Sequence, residues 1–451
     1  AHNFIDLFVH AAGITPMLNV GSKEGQVIFV TDSSLKTEAY LLKVTSEQIL
    51  IKASDTKGFF YALQSIRQLL PAAIESGQPV KNVVWSVPAV TIQDEPRFGF
   101  RGLLLDPVRC FIPKENVLRI IDCMAMLKIN KLHFHLTDDN GWRIEIKKYP
   151  RLTEVGAWRV DRTDVPFHSR RNPKWGEPTP IGGFYTQEDI REIVAYAADR
   201  QIEVIPEIDV PAHSNAALAA YPQLACPVVK DFIGVLPGLG GRNSEIIYCA
   251  GNDSVFTFLQ NVMDEIMELF PSRYIHIGGD EAHGNHWANS QSIRSLKNSL
   301  GITENFELQI WYFNQINKYL NEKGRKMMGW SDMAGPVGVA SKMAVDMPGA
   351  ISQYWAGSVD VLNHSLRLGF KVVQSHTDFA YFNAGLQNAY LTSCIPERVD
   401  ATKVKNIIGF EASCWSEWDS TLEKTFDHIF PRIAAYAETA WSKQSAKDYT
   451  N

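Results

Sequence analysis

Two acidic residues that are adjacent in the chain, Asp280 and Glu281, directly follow the glycines Gly278 and Gly279. Glycine allows a tight turn and leaves room for a ligand beside the backbone. Two carboxylates crowded at one point are costly unless one is protonated or hydrogen-bonded, which favours a functional site over a solvated loop. Because chain neighbours cannot easily act from opposite sides of one bond, we expect them to divide the work. One would protonate a leaving oxygen, and the other would steer a nucleophile that the substrate carries.

A second chemical pattern is the pair His133 and His135, which alternate with apolar residues. Alternation puts both imidazoles on one face of a strand, and we expect this face to point into a barrel. A buried hydrogen-bond network would explain both side chains. A metal-dependent hydrolase is the alternative, and Asp138, Asp209 and His213 could then supply further ligands.

Three tryptophans and one arginine complete the candidate chemistry. Trp330, Trp355 and Trp415 follow different apolar segments. Each alone could be a core residue, whereas three indoles at one opening would form an apolar cage for a sugar face or an acetyl methyl. Arg109 could bind hydroxyl groups through its fork of donors or could form a structural ion pair.

The elements that must position these residues alternate between short apolar strands and amphipathic helices from residue 99 onwards. Eight repeated β-then-α units favour a closed (β/α)8 TIM barrel over a doubly wound sheet. In such barrels catalytic groups stand at the carboxyl ends of the strands, which is where these residues fall. The predicted strands are 102–105, 131–136, 202–208, 274–277, 326–330, 351–355, 370–373 and 407–410, and the main predicted helices are 114–128, 187–200, 254–270 and 304–323.

The beginning of the chain has a different pattern, which is typical of a small α+β domain. We therefore expect two domains, an N-terminal α+β domain at 1–98 and a catalytic barrel at 99–451. The predicted elements of the first domain are strands at 27–30, 39–44 and 48–53, the last two forming a hairpin, and a helix over 56–70 that Pro71 ends.

Two stretches, 161–183 and 227–246, are rich in Gly, Pro and charge without a regular period. We expect them to be long loops on one face of the barrel. Cys226 and Cys249 flank the second stretch and could pair across it. The six cysteines include no CxxC pair, which argues against a zinc ribbon.

Composition limits the class of protein. The chain has 451 residues, 44 Lys+Arg and 50 Asp+Glu, hence a formal net charge of −6, and is 45% hydrophobic. A disordered chain would be less apolar and more strongly charged. Without a long basic run, neither nucleic acid nor an anionic membrane surface is an expected partner. No apolar stretch approaches the roughly 20 residues that span a bilayer, so we expect no membrane span.

Taken in order, these motifs resemble the β-N-acetylhexosaminidases of glycoside hydrolase family 20 over nearly the whole chain. The combination of HxGGDE and HLTDDxGW is highly specific for that family. The unit at 1–98 resembles the small α+β domain that precedes the family's barrel. The matching segments are RGLLLDPVRCF (101–111), NKLHFHLTDDNGW (130–142), EIDVPAHS (207–214), HIGGDEAH (276–283), GWSD (329–332), QYW (353–355), YFN (381–383) and CWSEW (414–418).

The resemblance implies a retaining, substrate-assisted mechanism through an oxazolinium-like intermediate, without cofactor or metal. Glu281 would be the general acid and then the general base, Asp280 would accept the acetamido N–H, and Tyr381 would hydrogen-bond the carbonyl oxygen. Asn383 stands where family members carry Asp or Asn, near the sugar's 6-position. The implied substrate-binding residues are Arg109, Trp330, Trp355, Asn383, Trp415 and Glu417, and the implied supporting residues are Asp138, Asp209 and His213.

The expected substrate is a carbohydrate with a terminal β-linked N-acetylglucosamine, and N-acetylgalactosamine is a second possibility. A disaccharide-releasing enzyme of the same family is the nearest alternative. A catalytically silent sugar-binding barrel is disfavoured because both acids and Tyr381 are present. The first residue is Ala1 rather than Met, which together with the substrate class suggests export to the periplasm, the cell surface or the medium. The oligomeric state cannot be inferred from the sequence.

Overall fold

The computed structural model describes residues 2–17, 26–417, 419 and 421–448, so Trp418 of the CWSEW motif lies outside the described residues. The strands form a four-stranded sheet, a closed eight-stranded barrel and two short two-stranded sheets. In chain order they are β1 Val27–Thr31, β2 Tyr40–Val44, β3 Ile49–Ala53, β4 Val90–Asp94, β5 Phe100–Leu105, β6 Lys131–His135, β7 Thr137–Asp138, β8 Gly141–Trp142, β9 Trp158–Arg159, β10 Ile181–Gly182, β11 Glu203–Glu207, β12 Tyr274–His276, β13 Lys326–Trp330, β14 Ile351–Tyr354, β15 Lys371–Gln374 and β16 Ile407–Cys414.

Two of the predicted helices show recognisable end signals, α5 at its start and α10 at its end. α5 starts with the predicted capping box, in which the side chains of Thr186 and Asp189 each accept from the other's backbone N–H. Gly324, with φ of +77°, follows the last turn of α10. The helices of the described residues are α1 His2–Ala12, α2 Thr56–Leu69, α3 Lys114–Met126, α4 Arg151–Glu154, α5 Gln187–Ala198, α6 Asn215–Ala220, α7 Asp253–Leu269, α8 Asn285–Asn289, α9 Gln291–Leu300, α10 Asn305–Glu322, α11 Val359–Arg367, α12 Thr377–Ala380, α13 Leu386–Leu391, α14 Leu422–Ile429 and α15 Ile433–Trp441.

The four-stranded sheet has the order β1-β3-β2-β4. β2 and β3 form the predicted antiparallel hairpin, and β1 runs parallel to β3. Helix α2 packs on this sheet and buries Tyr61 and Ile66 against Leu42 and Ile51. Helix α1 and strand β4 are additions that the sequence did not predict. The domain boundary after residue 98 stays a prediction.

Eight parallel strands, β5, β6 and β11 to β16, close the barrel, and β16 pairs with β5. The (β/α)8 barrel preceded by a small α+β unit is therefore confirmed. Alternation along β6 places Leu132 and Phe134 in the apolar layer beneath the helices. His133 and His135 point into the barrel, as expected, and both are buried.

The small sheet unit is anchored to the beginning of β5 by Arg101. The Arg101 guanidinium donates to Glu38 at 2.7 Å and to the Tyr61 hydroxyl at 2.9 Å. It also lies over the Trp441 ring at the end of α15, 4.9 Å from the ring centroid. This contact joins the small unit, the first barrel strand and the last helix at one end of the barrel.

The two predicted loops are present, at 161–183 after β6 and at 227–246 after β11. They contain only short 3-10 turns and the two-residue strand β10. The Sγ atoms of Cys226 and Cys249 are 2.8 Å apart, so the two cysteines that the sequence suggested as a pair lie in direct contact. None of the helices in the described ranges has both the length and the apolar character needed to cross a membrane.

Candidate active site

The two adjacent acids are carried by a tight turn after β12. Gly278 and Gly279 have φ of +63° and +102°. A Cβ at Gly278 would lie 1.8 Å from Asp209 Oδ1, so no larger residue fits there. Asp209 Oδ1 also accepts from the Gly279 backbone N–H at 3.1 Å. Asp209 therefore supports the backbone that presents Asp280 and Glu281.

His213 links these acids to a second carboxylate. Its Nδ1 is 3.2 Å from Asp138 Oδ1. On the other side, its Nε2 is 3.7 Å from Asp280 Oδ2 and 3.6 Å from Glu281 Oε2. Burial by itself would lower the pKa of His213, but Asp138 and Asp280 raise it well above its ordinary value. Asp139 Oδ2 is also 3.7 Å from Nδ1, so four carboxylates surround His213 and favour its charged form.

The acids differ in their surroundings. The side chain of Glu281 is 55% exposed and that of Asp280 is 16% exposed. Asp280 Oδ1 is buried and has no hydrogen-bond partner among the described residues. A buried carboxylate oxygen without a donor is unfavourable unless a ligand supplies one. Asp280 is therefore suited to accept an N–H from a ligand, and Glu281 is suited to exchange a proton with one.

Three predicted tryptophans converge beside these acids. The ring centroids of Trp330 and Trp355 are 6.5 Å apart, and those of Trp330 and Trp415 are 5.9 Å apart. The Tyr381 ring lies 6.0 Å from that of Trp415. Burial raises the pKa of Tyr381 and keeps its hydroxyl protonated, hence able to donate a hydrogen bond. The cage that the sequence predicted is present, and the Tyr381 hydroxyl adds a hydrogen-bond donor beside the indoles.

Arg109 lies on the opposite side of Trp415, with its guanidinium carbon 5.2 Å from the ring centroid. One terminal nitrogen contacts Asp138, and the other is 3.3 Å from Asp106 Oδ2 and 3.9 Å from Glu417 Oε2. Burial by itself would lower the pKa of Arg109, but the neighbouring carboxylates raise it. Asn383 is exposed and lines a pocket together with Trp415 and Glu417. Arg109 and Glu417, which are predicted to bind the outer hydroxyls of the sugar, therefore lie beside each other.

The two barrel histidines form a buried network. His133 Nδ1 is 2.8 Å from Glu411, and its Nε2 is 3.0 Å from Glu207. His135 lies between Glu207 at 2.5 Å and Asp138 at 3.0 Å. Burial alone would lower their pKa values, but these carboxylates raise them to about 10 for His133 and about 9 for His135. An imidazolium donates from both nitrogens and has no lone pair for a metal. The contacts favour the network over metal ligation by these histidines.

Three clusters of potential metal ligands occur among the described residues, and one of them includes His133. Their candidate ligand atoms lie within 4.8 Å of one another, and every cluster shares residues with the contacts described above. An ion would compete with the hydrogen bonds that hold the acids in place. In the described residues the three clusters are His133, Glu207 and His276; Asp138, Asp139 and His213; and Asp209, His213 and Asp280.

Sequence reasoning missed several residues that build the site. Asn140 accepts from Arg109 Nε at 3.2 Å and donates to the Leu236 carbonyl oxygen at 2.7 Å, so it joins the arginine to the 227–246 loop. Asp332 accepts from Trp355 Nε1 at 2.8 Å. Glu411 balances His133, and the available signal was a single charge inside an otherwise apolar strand.

Family models match both parts of the chain. The catalytic domain of glycosyl hydrolase family 20 matches residues 98–444, and domain 2 of the same family matches residues 1–95. The chain belongs to glycosyl hydrolase family 20. Within this family 20 barrel, eleven of the twelve predicted site residues come after barrel strands, and Trp330 is the last residue of β13. Their individual roles stay predictions.

Named relatives agree with this assignment. The chain is 36% identical over 98% of its length to a β-hexosaminidase of Porphyromonas gingivalis and spans 56% of that relative. It is 35% identical to a β-hexosaminidase of Vibrio furnissii, with 93% of this chain and 67% of the relative covered.

Solved structures agree as well. A β-N-acetylhexosaminidase of Bacteroides fragilis has a TM-score of 0.81 and 31% identity, with 100% of this chain and 86% of that chain covered. A family 20 exo-β-N-acetylglucosaminidase of Vibrio harveyi, solved with N-acetylglucosamine, has a TM-score of 0.79 and 31% identity, with 95% and 66% covered.

Proposed function

We propose that this chain is an exo-acting β-N-acetylhexosaminidase that releases terminal, non-reducing β-linked N-acetylglucosamine, with N-acetylgalactosamine as a second substrate. The observation that carries the proposal is the buried Asp280 Oδ1, which lacks a donor and stands beside the exposed acid Glu281. An acetamido N–H is the donor that such an oxygen would take. The names of the Vibrio harveyi and Bacteroides fragilis structures support the same reaction.

The first step uses the substrate's own acetamido group. Glu281 gives its proton to the glycosidic oxygen while the acetamido carbonyl oxygen attacks the anomeric carbon, and the bond to the leaving group breaks. Asp280 accepts the acetamido N–H and stabilises the positive charge that develops on the oxazolinium-like ring. Tyr381 donates to the carbonyl oxygen and aims it. The nucleophile is already attached to the substrate, so proximity supplies much of the rate.

The second step opens that ring with water. Glu281, now ionised, removes a proton from the water as it attacks the anomeric carbon, and the acetamido group is restored. Two inversions at one carbon give net retention. The adjacent acids are then explained, because no protein carboxylate has to act from the opposite face of the sugar.

The surrounding residues determine which sugar fits. Arg109 and Glu417 would bind the outer hydroxyls, since a guanidinium fork and a carboxylate together match a pair of neighbouring hydroxyl groups. The tryptophans Trp330, Trp355 and Trp415 would pack on the acetamido methyl and on the apolar face of the ring. Asp138, Asp209 and His213 would hold the acids in position.

The test compares initial rates on 4-nitrophenyl β-N-acetylglucosaminide and 4-nitrophenyl β-glucoside, each with and without a chelator. We expect turnover of the acetamido sugar alone and no effect of chelation. Equal turnover of the glucoside would overturn the proposal. So would activity that a chelator abolishes, or release of lacto-N-biose from its aryl glycoside with no turnover of the monosaccharide substrate.

A further inference from the structure

The side chain of Asn140 lies between Arg109 and the 227–246 loop. Its Oδ1 accepts from Arg109 Nε at 3.2 Å, and its Nδ2 donates to the carbonyl oxygens of Leu236 at 2.7 Å and Gly238 at 3.0 Å. Asn140 is buried. A side-chain amide has an acceptor at one end and two donors at the other. The two loop carbonyls therefore select the orientation in which Oδ1 faces Arg109.

The backbones of Arg109 and Asn140 are fixed relative to each other. The guanidinium of the buried Arg159 donates to the Asn140 carbonyl oxygen at 2.8 Å and also to that of Arg109. The Arg109 backbone N–H donates to Asp106 at 3.1 Å. Because both backbones are held in this way, the contact between the two side chains depends on the direction of the Asn140 amide.

The loop segment 236–238, which sets this direction, is buried and closely held. Arg170 Nη1 donates to the Pro237 carbonyl oxygen at 3.0 Å. A Cβ at Gly238 would lie 2.3 Å from the Phe167 carbonyl oxygen, which is closer than any real contact. A larger residue at Gly238 must therefore displace the segment, and with it the carbonyl oxygens that orient the amide.

The contact with Asn140 leaves outer donors of Arg109 for a ligand. A guanidinium carries five N–H groups, one on Nε and two on each terminal nitrogen. The Nε group donates to Asn140, and the terminal nitrogens face Asp106 at 3.3 Å and Asp138. The second N–H of each terminal nitrogen can then be directed at neighbouring hydroxyls of a sugar. A rotated guanidinium would misdirect both of these donors.

We propose that Asn140 is a positioning residue through which the 227–246 loop sets the affinity for the cleaved sugar. The loop carbonyls orient the amide, the amide holds Arg109 Nε, and Arg109 presents its remaining donors to the outer hydroxyls. This inference rests on the proposed function, in which Arg109 binds those hydroxyls. Because Asn140 acts through Arg109 and not on the reacting atoms, its loss weakens substrate binding more than it slows the chemical step.

The test measures KM and kcat on 4-nitrophenyl β-N-acetylglucosaminide for Asn140→Leu, which removes the amide, and for Gly238→Ala, which displaces the loop segment. We expect KM to rise about 3- to 10-fold in Asn140→Leu and about 2- to 5-fold in Gly238→Ala, with kcat within about 2-fold of the wild type. In the double variant, Gly238→Ala should add nothing, because the connection is already broken. Leu239→Ala is the matched control, since Leu239 is 57% exposed on the same loop, and its KM should not change.

A second measurement follows Arg109 without substrate. In protein made with ¹⁵N-labelled arginine, the Nε–H resonance of Arg109 is identified by its absence from Arg109→Lys. We expect this proton to exchange slowly with solvent in the wild type and faster in Asn140→Leu and Gly238→Ala. If Asn140→Leu does not fold, Gly238→Ala supplies both measurements.

The proposal is overturned by an unchanged KM in the folded variants, by a loss confined to kcat, or by full additivity in the double variant. Equal exchange of the Arg109 proton in the wild type and the variants would overturn it as well. If the wild type hydrolyses no N-acetylglucosaminide, the proposed function fails, and the exchange measurement still decides whether the loop holds Arg109 through Asn140.

Discussion

Arg101 and Arg109 are eight residues apart and lie near opposite ends of the first barrel strand, yet their surroundings differ. Arg101 is 1% exposed, and each of its nitrogens donates to a protein oxygen at 2.7 to 2.9 Å, with Glu38 as the paired carboxylate. Arg109 is 11% exposed; it contacts Asp138 closely, but its contacts to Asn140, Asp106 and Glu417 are 3.2, 3.3 and 3.9 Å long.

The difference distinguishes an arginine that stabilises the fold from an arginine that can bind a substrate. An arginine whose donors are all occupied inside the protein stabilises the fold and has no capacity for a ligand. Arg109 also has a protein partner at each nitrogen, but it is partly exposed and most of these contacts are 3.2 Å or longer, so it can still donate to a substrate hydroxyl. The same distinction applies to the acids, because Glu38 is paired and buried whereas Glu281 is mostly exposed. Changes at the opening should therefore alter rates, and changes near Arg101 should alter stability.

Glu281→Gln should show the largest effect. The variant lacks the acid and base of the reaction, so we expect kcat on chitobiose to fall by roughly 10²- to 10⁴-fold. A 4-nitrophenyl leaving group needs less protonation and should suffer a smaller loss in the first step. A thiazoline-type inhibitor should still bind. Because the side chain is mostly exposed, the free energy of unfolding should change by less than about 0.5 kcal/mol. Wild-type turnover in this variant would contradict the assigned role.

Arg101→Met should give the opposite result. It leaves Glu38 buried without its closest cation, so we expect about 3 kcal/mol of lost stability in denaturant unfolding. The values of kcat and KM per folded molecule should match those of the wild type. The double variant with Glu38→Gln should recover part of the loss, since it removes a buried charge that keeps only the more exposed Lys57, 3.1 Å away, as its cation. A large change in KM with unchanged stability would contradict the structural role of Arg101.

Arg109→Lys tests the opening with the charge preserved. Lysine cannot reproduce the planar fork, so we expect a loss of roughly 10-fold in kcat/KM on 4-nitrophenyl β-N-acetylglucosaminide. Stability should stay within about 1 kcal/mol of the wild type because the buried carboxylates keep a cation. The matched Arg101→Lys variant should instead lose stability and keep its kcat/KM. If both variants lost only stability, the two arginines would not differ as claimed.

Asp332→Asn should give the smallest effect, on the pH dependence of stability. Burial, followed by the charge of Asp280, raises the pKa of Asp332 to about 6. The folded state therefore keeps a proton that the unfolded chain releases, and stability falls as the pH rises from about 4 through about 6. The variant lacks this decline and should be more stable than the wild type by about 1–2 kcal/mol at pH 7. Identical pH profiles of unfolding in both proteins would contradict the raised pKa.

Much of the fold could be predicted because its signals are local. The barrel strands are short apolar runs, and the acids, Arg109 and the tryptophans directly follow such runs. Strand β4 could not be predicted in this way, because it depends on pairing with β2. The prolines Pro88 and Pro96, which flank it, also interrupt the strand pattern.

The parts of the site that escaped prediction depend on distant partners. The role of Glu411 depends on its contact with His133. The role of Asn140 depends on its contacts with Arg109 and Leu236. Spacing along the chain carries no signal for such contacts.

In the proposed mechanism the nucleophile belongs to the substrate. The most direct test compares kcat/KM on 4-nitrophenyl glucosaminides whose N-acyl group is acetyl, fluoroacetyl, difluoroacetyl or trifluoroacetyl. Fluorine withdraws electrons from the carbonyl oxygen, so the account predicts a steep decline along the series. A flat series would contradict it, because a protein nucleophile or a direct attack by water would not depend on that oxygen.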